Sequence, residues 1–234
     1  MPTASDFVSA YDAVAVEYAT RYTSQRDRCE DRTLLQWLRQ GRYLEGRVVD
    51  LGCGSGMLVG LAGLAPESYF GVDPSSGMRE QARRAYPKHT FVSGMAEDLS
   101  ALPDGCADSV VGLFCGFSYC DQPWRGVAEM ARVLRPGGRV FIMVYQKRTL
   151  TRPYILSERC GLPLPQVPSL DALERVFAAH FELGPRRGFV LLTDRLPENA
   201  PRWLFDLVMR ADLVLGRVFP ESMLYSVVEA VRRG

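Results

Sequence analysis

Apolar side chains recur three and four positions apart at the start of the chain. Phe7, Tyr11, Val14, Tyr18 and Tyr22 share one face, which predicts an amphipathic helix over 6–21. A second helix is predicted over 32–40. The period then changes: a β-branched run at 47–51 ends in glycines, and a helical pattern follows at 58–64. The same alternation continues with strands at 69–73, 90–93, 108–114 and 139–145, helices at 76–86 and 123–134, and a short helix at 97–102. Strands separated by helical segments predict a parallel sheet covered on both faces. From 146 to 168 the pattern lapses, and Pro153, Pro163, Pro165 and Pro168 predict a long ordered loop over the sheet. A helix at 169–180, a strand at 181–192, a helix at 201–218 and a final strand at 223–230 complete the series.

Composition narrows the picture by exclusion. The 234 residues suit one domain over 1–234, read as N-terminal helices in 1–44, a core of alternating strands and helices in 45–145, and a closing segment in 146–234. Basic and acidic residues nearly balance, 28 against 27, without long runs of either sign, so a nucleic-acid partner is not expected. The six cysteines are scattered, no C-x-x-C pair occurs and there are two histidines, which argues against a metal site or disulfide framework. Without a secretory leader or a long apolar span, the expectation is a cytoplasmic protein with no transmembrane segment.

In an open sheet of this kind ligands lie beyond the carboxyl ends of the strands, where strand order reverses. The first such end reads Asp50-Leu-Gly-Cys-Gly-Ser-Gly56. Gly52 and Gly54 let backbone approach a ligand, Cys53 lies between them, and Gly56 permits close packing of the next helix. Asp73, with Pro74 and Met78 just beyond, ends the second strand about 20 residues after the turn, the interval at which a carboxylate meets ribose hydroxyls. Met57 occupies the place where a dinucleotide fingerprint carries its third glycine or alanine, which disfavours NAD and FAD.

Four segments, Val48 to Gly56, Gly71 to Asp73, Ala96 to Leu99 and Glu129 to Gly138, taken in order resemble the signatures of class I S-adenosylmethionine-dependent methyltransferases of the small-molecule type. The resemblance spans about residues 45–145. It implies an α/β, Rossmann-like, doubly wound seven-stranded sheet, mostly parallel with the last strand antiparallel, N-terminal lid helices and a helical insertion before the last strand. It also implies S-adenosyl-L-methionine as cofactor, with Asp50 and Gly52 at its methionine end, Asp73 at the ribose, and the Ala96-Glu97 backbone at the adenine. Relatives often carry Asp where this chain has Met95; here either Met95 packs on the purine, or Glu97 or Asp98 receives its amino group, or both acids only cap a short helix.

After the fourth strand, Phe114 and Gly116 fall beside the expected methyl group. Phe117 and Tyr119 either face the sulfonium or belong to the core, and Cys115 and Cys120 read as small buried residues. Related enzymes close a Tyr-Asp followed by a Tyr over the cofactor, and Tyr11, Tyr18 and Arg21 are the corresponding candidates. No general base stands out: Tyr119 and His180 are weak catalytic candidates, and His180 also reads as a helix cap.

The implied activity is methyl transfer to a small, hydrophobic metabolite, driven mainly by proximity and orientation. The alternative is a protein of the same fold without methyl transfer, either a structural partner or a cofactor-assisted cyclase. Helix 201–218 is apolar over more of its circumference than one sheet face needs, so it is a lid, a core element, a homodimer contact or a membrane-surface contact.

Overall fold

The computed structural model describes residues 2–146, 155–162 and 169–234. Its sheet begins with β1 (Val48–Leu51), β2 (Tyr69–Val72), β3 (Thr90–Val92), β4 (Ala107–Gly112) and β5 (Leu134–Tyr145), and ends with β6 (Phe181–Leu183), β7 (Arg187–Phe189) and β8 (Tyr225–Arg232). The order is β3-β2-β1-β4-β5-β8-β6, with β7 also paired to β8. β1 to β5 are parallel, while β8 runs antiparallel to β5, β6 and β7. Strand order reverses between β1 and β4, which opens a crevice at their carboxyl ends.

The helices are α1 (Ala4–Arg21), α2 (Gln25–Gln40), α3 (Met57–Ala62), α4 (Ser76–Ala85), α5 (Pro123–Val133), α6 (Ile155–Cys160), α7 (Leu170–Phe177) and α8 (Arg202–Val218). Alternate strand residues feed two apolar layers, as a period of two requires. Val110, Val140 and Ile142 pack with Met130 and Phe177 of α5 and α7. Val111, Phe141 and Met143 pack with Trp37 of α2 and Phe205 and Met209 of α8.

The expected seven-stranded sheet holds eight strands in seven positions. The single strand predicted over 181–192 is interrupted at Gly184-Pro185, because proline has no N–H for the ladder, and its two pieces pair with β8 one register step apart. The short helix predicted over 97–102 does not form. Leu99 N donates instead to Glu129 Oε2 (2.8 Å) and Ser100 N to Asp98 Oδ1 (3.0 Å), so side chains take the amides that a helix would use. α2 starts at Gln25 rather than at 32, since Ser24 and Asp27 form a capping box. The segment 146–168, expected as loop, contains α6; its stretches 147–154 and 163–168, with Pro153, Pro163, Pro165 and Pro168, lie outside the described residues. Helix 201–218 is a core element on one side, as α8. No residue of it lines the cleft described below.

Candidate functional site

The turn after β1 exists because its backbone takes left-handed angles, with φ of +73° at Gly52 and +83° at Gly56. Gly52 N donates to Val72 O (2.8 Å), tying the turn to β2. A Cβ on Gly52 would stand 3.2 Å from Gly116 Cα, so the ends of β1 and β4 close on each other only without side chains there. A Cβ on Gly56 would meet the Tyr86 ring at 2.9 Å, which places that glycine at a packing contact between α3 and α4.

Two acids flank the turn. Asp50 is buried and its Oδ2 accepts from Tyr69 Oη (2.7 Å). Burial pushes its carboxyl up to about 7, with Tyr69 pulling down and Asp73 adding to the rise. Asp73 accepts from Gly54 N and Ser75 N, both at 2.9 Å. Burial raises it to about 6 against those two amides and Arg79.

These ends form the floor of a cleft of about 1050 Å³ including its mouth. Of the residues singled out in the sequence, Asp50, Gly52, Cys53, Gly54, Asp73, Pro74, Met78, Ala96, Glu97, Phe114, Tyr119, Tyr11 and Tyr18 line it. Gly56, Arg21 and His180 do not. Arg21 pairs instead with Glu17 (3.0 Å) and with Glu158 of α6, so it joins two helices rather than facing the cleft. His180 follows α7, with its N–H on Phe177 O (3.0 Å) and its carbonyl accepting from Arg233 N (3.1 Å).

The two readings of the aromatic pair separate. Phe117 is buried against Phe177 at 6.0 Å between ring centroids and belongs to the core. Tyr119 faces the cleft, with its hydroxyl 2.8 Å from that of Tyr11 and its ring 4.7 Å from that of Phe7. Phe114 reaches the same wall at a positive φ of 48°, a conformation rare for a side chain of that size. Burial pushes the thiols of Cys53, Cys115 and Cys120 upward, which disfavours the thiolate a nucleophile needs.

Asp12 was not anticipated as a separate contact. Its Oδ1 accepts from Ser75 Oγ (2.7 Å), Ser76 Oγ (3.3 Å) and Gly77 N (2.7 Å), fastening α1 to the start of α4. Burial raises its carboxyl, but Gly77, the two serines and Arg79 hold it below the usual range. Ala4, Phe7 and Val8 on the same helix face the cleft. Their apolar spacing was readable, but their exposure to a ligand space was not.

The donor set fits S-adenosylmethionine. The glycine turn is a cradle that a Cβ would fill. Asp73 keeps lone pairs beyond its two amide bonds for a ribose diol. Glu97 Oε1 accepts from Gln122 N (3.1 Å), while its buried Oε2 has no hydrogen-bond partner among the described residues. An amino group such as that of adenine would satisfy it.

Comparison with known proteins agrees with this geometry. A family model described as a methyltransferase domain matches residues 49–142. A malonyl-acyl-carrier-protein O-methyltransferase of Methylococcus capsulatus is 32% identical over 146 residues, 60% of this chain and 52% of that protein. A demethylmenaquinone methyltransferase of Beutenbergia cavernae is 38% identical over 100 residues, 41% of this chain and 39% of that one. The chain thus spans about half, or less, of the length of these relatives. Among solved structures, a Thermotoga maritima S-adenosylmethionine-dependent methyltransferase, described as a possible histamine N-methyltransferase, superposes with a TM-score of 0.62 at 19% identity, covering 95% of this chain and 98% of that one. The 4+2 cyclase SpnF gives 0.67 at 18% identity, covering 99% and 97%. The domain match falls on the stretch from β1 to β5 that builds the cleft floor, and together with the superposed structures it supports a class I S-adenosylmethionine-dependent methyltransferase fold for this chain.

Proposed function

We propose that this protein transfers the methyl group of S-adenosylmethionine to a small, hydrophobic metabolite. The observation that carries the reading is the division of one cleft into two chemistries. Asp50, Asp73, Glu97 and the glycine turn supply its polar lining, while Phe7, Val8, Tyr11, Tyr18, Met57, Leu58 and Tyr119 supply apolar and aromatic lining. The bound cofactor supplies a methyl group already activated by a sulfonium. What remains for the chain is to hold, align and keep water out, and such alignment supplies up to about 7–11 kcal/mol.

Asp73 would hold the ribose, Asp50 and the amides after Gly52 the methionine end, and Ala96 with Glu97 the adenine. Tyr119, steadied by Tyr11, is the hydroxyl placed to orient an acceptor. No histidine lines the cleft, which favours an acceptor that loses its proton readily or after the transfer. The relatives' names support methyl transfer. Of their two acceptors, demethylmenaquinone is the one whose apolar character suits this lining.

Incubation with methyl-labelled S-adenosylmethionine and a panel of apolar phenols, quinols and acids tests the reading. Label in the extracted product is expected. Conversion of an acceptor without label would overturn it in favour of a cyclase-like role, and strict failure to bind the cofactor would remove both.

A further inference from the structure

α8 carries two apolar faces. Phe205, Met209 and Gly216 are buried, and Gly216 lies directly against Gly188 O of β7. On the opposite side, Trp203, Leu207, Val214 and Val218 are 66%, 57%, 60% and 61% exposed. At about 100° per residue these four, with exposed Ala211 between them, fall in one narrow stripe running the length of the helix. Nothing among the described residues covers it. Scattered exposed apolar residues need no explanation, but a continuous stripe marks a contact.

Charge decides which contact. Arg210 and Arg217 edge the stripe on one side and meet no carboxylate among the described residues. Both acids of the helix are already engaged: Asp206 pairs with Arg32 (2.6 Å) and Arg202 (3.5 Å), and buried Asp212 accepts from the amides of Leu191, Leu192 and Thr193. The exposed rim is therefore cationic. A second copy laid antiparallel across the stripe, one of the arrangements a two-fold axis allows, would set Arg210 near its own symmetry mate, because it lies at the helix midpoint. An anionic surface has no such conflict.

We propose that α8 seats the protein on an anionic lipid bilayer. The stripe enters the boundary between headgroups and acyl chains, Trp203 anchors one end, and Arg210 and Arg217 meet lipid phosphates. The contact is peripheral, since no helix among the described residues is long and apolar enough to cross a membrane. It stands apart from the methyl-transfer reading, because no α8 residue lines the cleft.

Flotation of the full chain with vesicles of phosphatidylcholine, alone or mixed with phosphatidylglycerol, tests this. Binding to the mixed vesicles that weakens with salt is expected, with little on phosphatidylcholine alone. Arg210→Glu with Arg217→Glu should lower affinity about thirtyfold or more, given about fivefold per lost arginine. Leu207→Glu with Val214→Glu should abolish flotation while leaving the melting temperature unchanged, as both side chains are exposed. Absence of wild-type binding at low salt, or binding that survives both variant pairs, would overturn the proposal. So would a wild-type dimer in sedimentation that Leu207→Glu with Val214→Glu converts to monomer, since a second copy would then cover the stripe.

Discussion

Asp50 and Asp73 share a water-poor floor, and burial holds both carboxyls above the ordinary 3.8, at about 7 and about 6. A folded state that keeps such protons longer than the unfolded chain loses stability as pH rises from the ordinary 3.8 to about 7 for Asp50 and to about 6 for Asp73. Asp50→Asn removes that titration and retains an acceptor for Tyr69. In thermal melts without cofactor, the variant should therefore gain on the wild type progressively from pH 4 to pH 8, with no gain at the acid end. Tyr119 lends itself to a second substitution, since Tyr119→Phe keeps the packing on Phe7 and deletes the hydroxyl. A loss of about one hydrogen bond's worth, roughly tenfold in methyl-transfer rate, is expected with cofactor affinity little changed, read by steady-state kinetics and titration. Asp73 and the glycine turn were legible because spacing along the chain encodes them. Arg21 was misplaced and Asp12 missed for the converse reason: where a long or branched polar side chain points depends on which helix lies opposite, and periodicity carries no record of that.

At the scale of elements, Asp12 is one of the polar contacts that fasten α1 over the cleft. Asp12→Ala removes three acceptor bonds at the start of α4. Amide exchange along α1 should rise by about an order of magnitude, for a loss of roughly 1–2 kcal/mol, and bound cofactor should dissociate faster. If exchange in α1 is unchanged, Asp12 does not hold the helix. Asp212 plays the corresponding part for the chain before α8. Asp212→Ala removes the acceptor of the Leu191, Leu192 and Thr193 amides, the last of them buried, and should destabilise by about 1–3 kcal/mol in urea unfolding. The alternation of strands and helices from β1 to β5 was readable from period alone. The broken strand at Gly184-Pro185 and the turn at 97–102 were not, because the first depends on pairing with a distant strand and the second on Glu129, some thirty residues away, taking a backbone amide.

For the whole molecule, the reversal of strand order between β1 and β4 does two things: it leaves a crevice floored by backbone amides and carboxylates, and it lets the N-terminal helix close over that crevice with aromatic side chains. Methyl transfer needs little more than such an arrangement, because alignment and exclusion of water supply most of the effect. The central claim is that this cleft binds S-adenosylmethionine through Asp73. Calorimetric titration of the cofactor into wild type and Asp73→Ala tests it most directly. One site per chain is expected, with affinity lowered more than tenfold in the variant, as the loss of a charge-assisted bond of about 1.5–3 kcal/mol requires. No heat of binding in the wild type, or equal affinity in the two proteins, would contradict it.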